Sequence, residues 1–208
     1  MMMRLSGTMR RTLTVGGLPL ALALALALAL PGCVSLGGKL PDQLLTLSAT
    51  ATAPAGSSAS GTVNDALAVI EPGVPQELDA LRVPVQVNDT SIAYIKDAVW
   101  VEKPARLFQR LLSETIRAGG TRLVLSGADE QYAAATKLTG HLLAMGYDAR
   151  MQAVVIRYEA VLTAPGGQIS TRRFESEVPG VSADAAAVGR AMNEAANEVA
   201  GQVAQWVG

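Results

Sequence analysis

One cysteine in 208 residues, standing directly after a Leu-Ala repeat, limits what this chain can build. The apolar run Leu18 to Leu30 ends at Pro31-Gly32-Cys33, and Arg4, Arg10 and Arg11 precede it. A basic start, an apolar stretch and a small residue before a cut make the layout of a secretory signal. A cysteine at the first mature position makes it the signal of a bacterial lipoprotein. Its thiol would carry a diacylglycerol and its new amino group a further acyl chain. Residues 1–32 are then a signal peptide, 33–41 a lipidated tether and 42–208 the folded domain. A transmembrane helix is the other reading, but spanning takes about 20 apolar residues. With Cys33 acylated, no disulfide is possible within the chain, so stability must come from packing.

Several acyl chains anchor a protein stably, whereas one gives marginal binding. Val34 follows the cysteine. An Asp there tends to retain enteric lipoproteins at the inner membrane, so Val34 points to the periplasmic face of the outer membrane. Removing the leader takes three of the 17 basic residues and none of the 18 acidic ones. The remainder is acidic and has no basic cluster, which argues against nucleic acid as a partner. Few aromatics and abundant alanine predict a core of Val, Leu, Ile and Ala.

Asp42–Ser48 reads as a short strand, Thr50–Thr62 as a loop and Ala66–Ile70 as a strand inside a sheet. Pro75–Leu81 reads as one helical turn. Arg82–Asn88 alternates as a strand, with Pro84 requiring an edge or a bulge. Asn88-Asp89 turns it back into Ser91–Ile95. Pro104 opens a helix whose Leu107, Phe108, Leu111, Leu112, Thr115 and Ile116 share a face. Gln109, Arg110, Ser113, Glu114 and Arg117 take the other face, and Gly119-Gly120 ends the helix. Thr121–Ser126 is a strand, and Asp129–Ala135 a short helix or loop. Leu138–Tyr147 and Met151–Thr163 are strands. Pro165-Gly166-Gly167 turns the second back into Gln168–Glu177. Ser182 can cap a last helix, with Asp184 in its first turn. Its stripe Val188, Met192, Ala195, Val199, Val203 and Trp206 should pack on the sheet. The predicted fold is a mixed α/β sandwich, a sheet with antiparallel hairpins packed by two main helices.

Signals of chemistry are sparse. His141 is the sole histidine, which excludes a multi-histidine metal cluster and reads as a hydrogen-bonded structural residue. Asp129-Glu130 reads as a solvated turn. No Gly-x-Ser-x-Gly elbow or P-loop occurs, so the chain cannot energise transport itself. No catalytic residue, cofactor or metal is assigned. Arg172-Arg173 on the last strand either meets a lipid phosphate or partner carboxylate or forms a solvated edge.

The order of these elements resembles a known family. Leu44–Leu47, Ala68-Val69-Ile70, the segment with Leu78 and Arg82, and the hairpin reaching Tyr94 lead to Trp100, Glu102 and Pro104. Together with the Ala-rich last helix they are similar to the ABC-type transport auxiliary lipoproteins, which include the PqiC-like lipoproteins. Asp42-Gln43-Leu44 stands where that family has a tyrosine-rich strand. The resemblance implies an α/β fold related in layout to the anticodon-binding-like sandwich. It implies work beside an MCE-domain protein and an ABC permease and ATPase, moving lipid between two membranes without catalysis. Homo-oligomers are among its implications, since some relatives form rings. Tyr94 and Trp100 are the candidate docking residues, or else core residues packing the helix that starts at Pro104. The other readings are an assembly or export lipoprotein binding a barrel or secretin, and a lipid-active enzyme dependent on His141 or an acidic residue.

Overall fold

The computed structural model describes residues 41–120, 122–126 and 134–208. The proposed signal peptide, Cys33, nearly all of the tether and Asp129-Glu130 lie outside the described residues. The strands are β1 (Leu67–Val69), β2 (Arg82–Asn88), β3 (Ser91–Val99), β4 (Val124–Leu125), β5 (Thr136–Asp148), β6 (Ala153–Thr163) and β7 (Ile169–Val178). The helices are α1 (Pro104–Ala118) and α2 (Ala185–Val207). Single 3-10 turns cover Gln76–Leu78 and Pro165–Gly167.

All seven strands form one mixed sheet, in agreement with the predicted α/β class. Strands β5, β6 and β7 run as an antiparallel meander. The other edge of β5 is shared: its beginning pairs in parallel with β1, and Tyr147-Asp148 at its end pair in parallel with β2. Strand β3 continues from β2 as a hairpin, and β4 lies beside β1. Strands this long arise where valine, isoleucine and tyrosine alternate; Val154, Ile156 and Tyr158 of β6 are fully buried while Arg157 and Glu159 point the other way.

Both helices cover one sheet face and join one hydrophobic core. The α2 stripe packs as predicted from Val188 to Val203, with Trp206 only half-buried. Phe108 of α1 meets Tyr158 edge to face at 5.2 Å. Burial pushes the Tyr158 hydroxyl pKa up, and the hydroxyl donates to the Thr139 carbonyl at 2.9 Å. Among the described residues, no helix is long and apolar enough to cross a membrane.

Several expectations are corrected. Asp42–Ser48 is no strand: Leu45 alone bridges to Trp100. That segment is instead strapped to α2, where Asn193 Oδ1 accepts from Ser48 N at 2.7 Å and Asn197 Oδ1 from Thr50 N at 2.8 Å. Thr121–Ser126 shortens to the two residues of β4. For Pro84 the bulge alternative holds: β2 is interior, between β3 and β5, and a register shift at Arg82/Pro84 accommodates the proline. Asp184, not Ser182, caps α2 by accepting from Ala187 N at 2.9 Å. Gln109 and Ser113 are buried, because α1 also packs against α2 and the end of β1. Gln109 Nε2 donates to the Val69 carbonyl at 2.8 Å, and Ser113 Oγ to the Gln109 carbonyl at 2.8 Å.

Candidate docking surface

The sheet face away from the helices carries the polar side chains. A register shift at Leu142/Ala144 bends β5 and leaves Leu143 exposed there. Beside it runs a groove of about 380 Å³ bounded by the β2–β3 and β5–β6 turns. Leu143, Val155, Ile92 and Met151 give it apolar surface; Glu175, Glu177, Arg157 and Arg150 give it charge.

Asp148 closes one end. Its Oδ1 accepts from the amides of Arg150 at 2.9 Å and Met151 at 3.2 Å, which fixes the tight turn. Arg150 Nη2 donates to Asp148 Oδ2 at 2.9 Å, while its Nη1 reaches Asp89 Oδ1 at 2.5 Å. One guanidinium thus ties together the tips of two hairpins. The same guanidinium holds the Asp148 carboxyl below its ordinary value, aided by the two amides. Two ion pairs cross between β6 and β7 on this face: Arg157 with Glu175, and Arg173 with Glu159 at 2.7 Å.

The candidate residues named from sequence do not converge. Tyr94 is half-buried on the outer strand β3, its ring under the Arg82 guanidinium at 4.6 Å. Arg172 and Arg173 lie on β7, the opposite outer strand, and point to opposite faces. Arg172 sits over the Phe174 ring at 5.1 Å, and Phe174 contacts Trp206 of α2 at 5.7 Å. Trp100 is 1% exposed, in the core with Leu107 and Phe108. Its place is therefore the packing alternative, not the surface. His141 is on β5 as expected, but its side chain is exposed and makes no hydrogen bond among the described residues; its ring crowds Gly73. The structural hydrogen bond expected of it is therefore not found among the described residues, and its side chain lies on the open face.

Sequence reasoning missed the Asp148–Arg150–Asp89 link and the Asn193/Asn197 strap. The i,i+4 spacing of the two asparagines was a visible signal, since it puts both on one face of α2. Among the described residues no group of three or more His, Asp or Glu side chains is placed to hold a metal. The groove offers paired charges and apolar surface, which suit contact with another molecule.

A model of the ABC-type transport auxiliary lipoprotein component family matches residues 45–204. The fold is similar to the crystal structure of a Xanthomonas campestris protein of the DUF330 family, at TM-score 0.66 and 18% identity over 79% of this chain and 94% of that one. It is similar also to an uncharacterised protein, at TM-score 0.63 and 17% identity over 79% of this chain and 97% of that one. A weaker likeness is to dodecameric PelC from Paraburkholderia phytofirmans, at TM-score 0.42 and 13% identity over 70% and 92% of the two chains. No curated protein matches significantly.

Proposed function

The chain belongs to the ABC-type transport auxiliary lipoprotein component family, and from that premise we propose that it is a non-catalytic, lipid-anchored subunit of a lipid transport system. Cys33 carries the acyl chains, and residues 33–41 tether the domain to the periplasmic face of the outer membrane. Its partners are an MCE-domain protein with its ABC permease and ATPase, which supply the energy that a chain without a P-loop cannot.

The observation that carries this reading is the extent of the family match, which spans nearly the whole folded domain. Physical chemistry supports it. Each methylene of a lipid exposed to the aqueous periplasm costs about 0.8 kcal/mol, so a covered route needs a fixed point on the far membrane. An anchored globular domain supplies that point, and its open face supplies charged and apolar surface for contact. Tyr94 and Arg172, half-exposed and exposed on two outer strands, are the positions proposed for the partner.

The test is a mild-detergent pull-down of the tagged chain from its own envelope, with proteins and lipids identified by mass spectrometry. Recovery of an MCE-domain protein with its permease or ATPase is the expected result. Recovery of a barrel or secretin with no transporter component would overturn the proposal in favour of an assembly or export role.

A further inference from the structure

Strand β7 pairs with β6 through ten residues without a register shift, and among the described residues nothing pairs with its outer edge. Ala164 N donates to the Gln168 carbonyl, so that pair is a hydrogen-bonded one and every second pair after it is too. The main-chain groups of Ser170, Arg172, Phe174 and Ser176 therefore turn toward β6. Those of Thr171, Arg173, Glu175 and Glu177 turn outward and are unpaired in the sheet.

We propose that a second copy of this chain adds its own β7 antiparallel to this edge, about a two-fold axis at Phe174. In that register Arg173 lies opposite Glu175 of the second copy, and Glu175 opposite its Arg173. Thr171 likewise faces Glu177 at both ends. All four are residues whose main-chain groups point outward, so each pair makes two inter-strand hydrogen bonds. Pro179, which has no N–H, ends the ladder.

The charges select this register. Within one copy, Arg173 already pairs with Glu159, and Glu175 with Arg157. Joining two copies at Phe174 continues these rows into Glu159–Arg173–Glu175–Arg157, with signs alternating across the junction. Moving the axis to residue 173 sets Arg173 against Arg173, and moving it to 175 sets Glu175 against Glu175. Like charges directly opposed destabilise a strand pair. Moving the axis between residues sets outward groups against inward ones and reverses the faces. Charges on an outer strand usually keep other strands away; here they admit one arrangement and oppose its neighbours.

The test uses the full-length chain in detergent, with mass measured by sedimentation velocity. The wild type should be a dimer. Arg173→Glu alone and Glu175→Arg alone should each be monomers, since each sets like charges against one another. An equimolar mixture of the two should recover the dimer, because each then supplies the charge the other lacks. Both variants lose one exposed ion pair within the protomer, alone and mixed alike, so recovery reads only the contact between copies. Thr171→Pro removes an outward N–H that the protomer does not use, a change an edge strand tolerates, and should also give a monomer. Wild-type chain that sediments as a single copy would overturn the proposal. So would variants that keep the wild-type mass, or a mixture that stays monomeric.

Discussion

Asn197 and Thr50 are joined as two strand residues would be. The Asn197 Oδ1 accepts from Thr50 N at 2.8 Å and from Thr50 Oγ1 at 3.0 Å, while its Nδ2 donates to the Ser48 carbonyl at 2.9 Å. A side-chain amide on α2 thereby stands in for the neighbouring strand that residues 48–50 lack. Asn197→Ala should cost about 1 kcal/mol, the usual net worth of such bonds where water can replace them. Hydrogen exchange checks it: the Thr50 amide should exchange faster while the core amides of β6 keep their protection.

Gly140 allows β5 and β6 to approach. Its φ of +149° is disfavoured for other residues, and a Cβ there would stand 2.1 Å from the Glu159 carbonyl oxygen. Main chain cannot give way as a flexible side chain can. Gly140→Ala should destabilise the domain by about 3 kcal/mol, the upper range for overpacking, read from the urea midpoint.

Asp148 makes stability depend on acid. Its carboxyl titrates below the ordinary 3.8 in the folded chain, chiefly because of Arg150. The charged form therefore contributes stability that is fully present above that ordinary value and is lost as pH falls through the lower folded one. Urea midpoints followed from neutral to acid pH should fall more steeply for the wild type than for Asp148→Asn. The two curves should converge once the wild-type carboxyl is protonated.

Among the described residues, Trp100 Nε1 is buried with no hydrogen-bond partner. Trp100→Ala should cost about 4 kcal/mol by leaving a cavity. Trp100→Phe should cost clearly less, because it keeps most of the ring and removes a donor that gains nothing where it is. Equal losses for the two variants in thermal unfolding would show that the indole N–H has a partner.

The regular elements of this fold were legible where a local rule governs them. Pro104 and the spacing from Leu107 to Ile116 marked α1, and the Pro165-Gly166-Gly167 turn marked the β6–β7 hairpin. The rest depends on long-range neighbours. Gln109 and Ser113 read as solvent-facing because their burial comes from α2 and β1, which are distant in sequence. Leu44 to Leu47 has the composition of a strand, but only Leu45 finds a strand-like partner, at Val99 and Val101, and Ser48 just beyond it is held by Asn193 and Asn197 on a helix. Asp89 and Arg150 meet because β2 and β5 lie side by side, a fact that neither turn announces. Trp100 read either as a surface anchor or as a core residue packing the helix from Pro104, and its burial beside α1 is the second.

The divided edge of β5 has a consequence for the order in which the chain assembles. The β5–β6–β7 meander and the β2–β3 hairpin close over short stretches of chain, so their contacts cost little loop entropy. Strand β1 must find Thr136–Leu138 across the whole of β2, β3 and α1. Contacts that span so much sequence come late and slow the search. The meander is therefore the natural nucleus, and seating β1 between β4 and β5 is the step that commits the chain to its native topology.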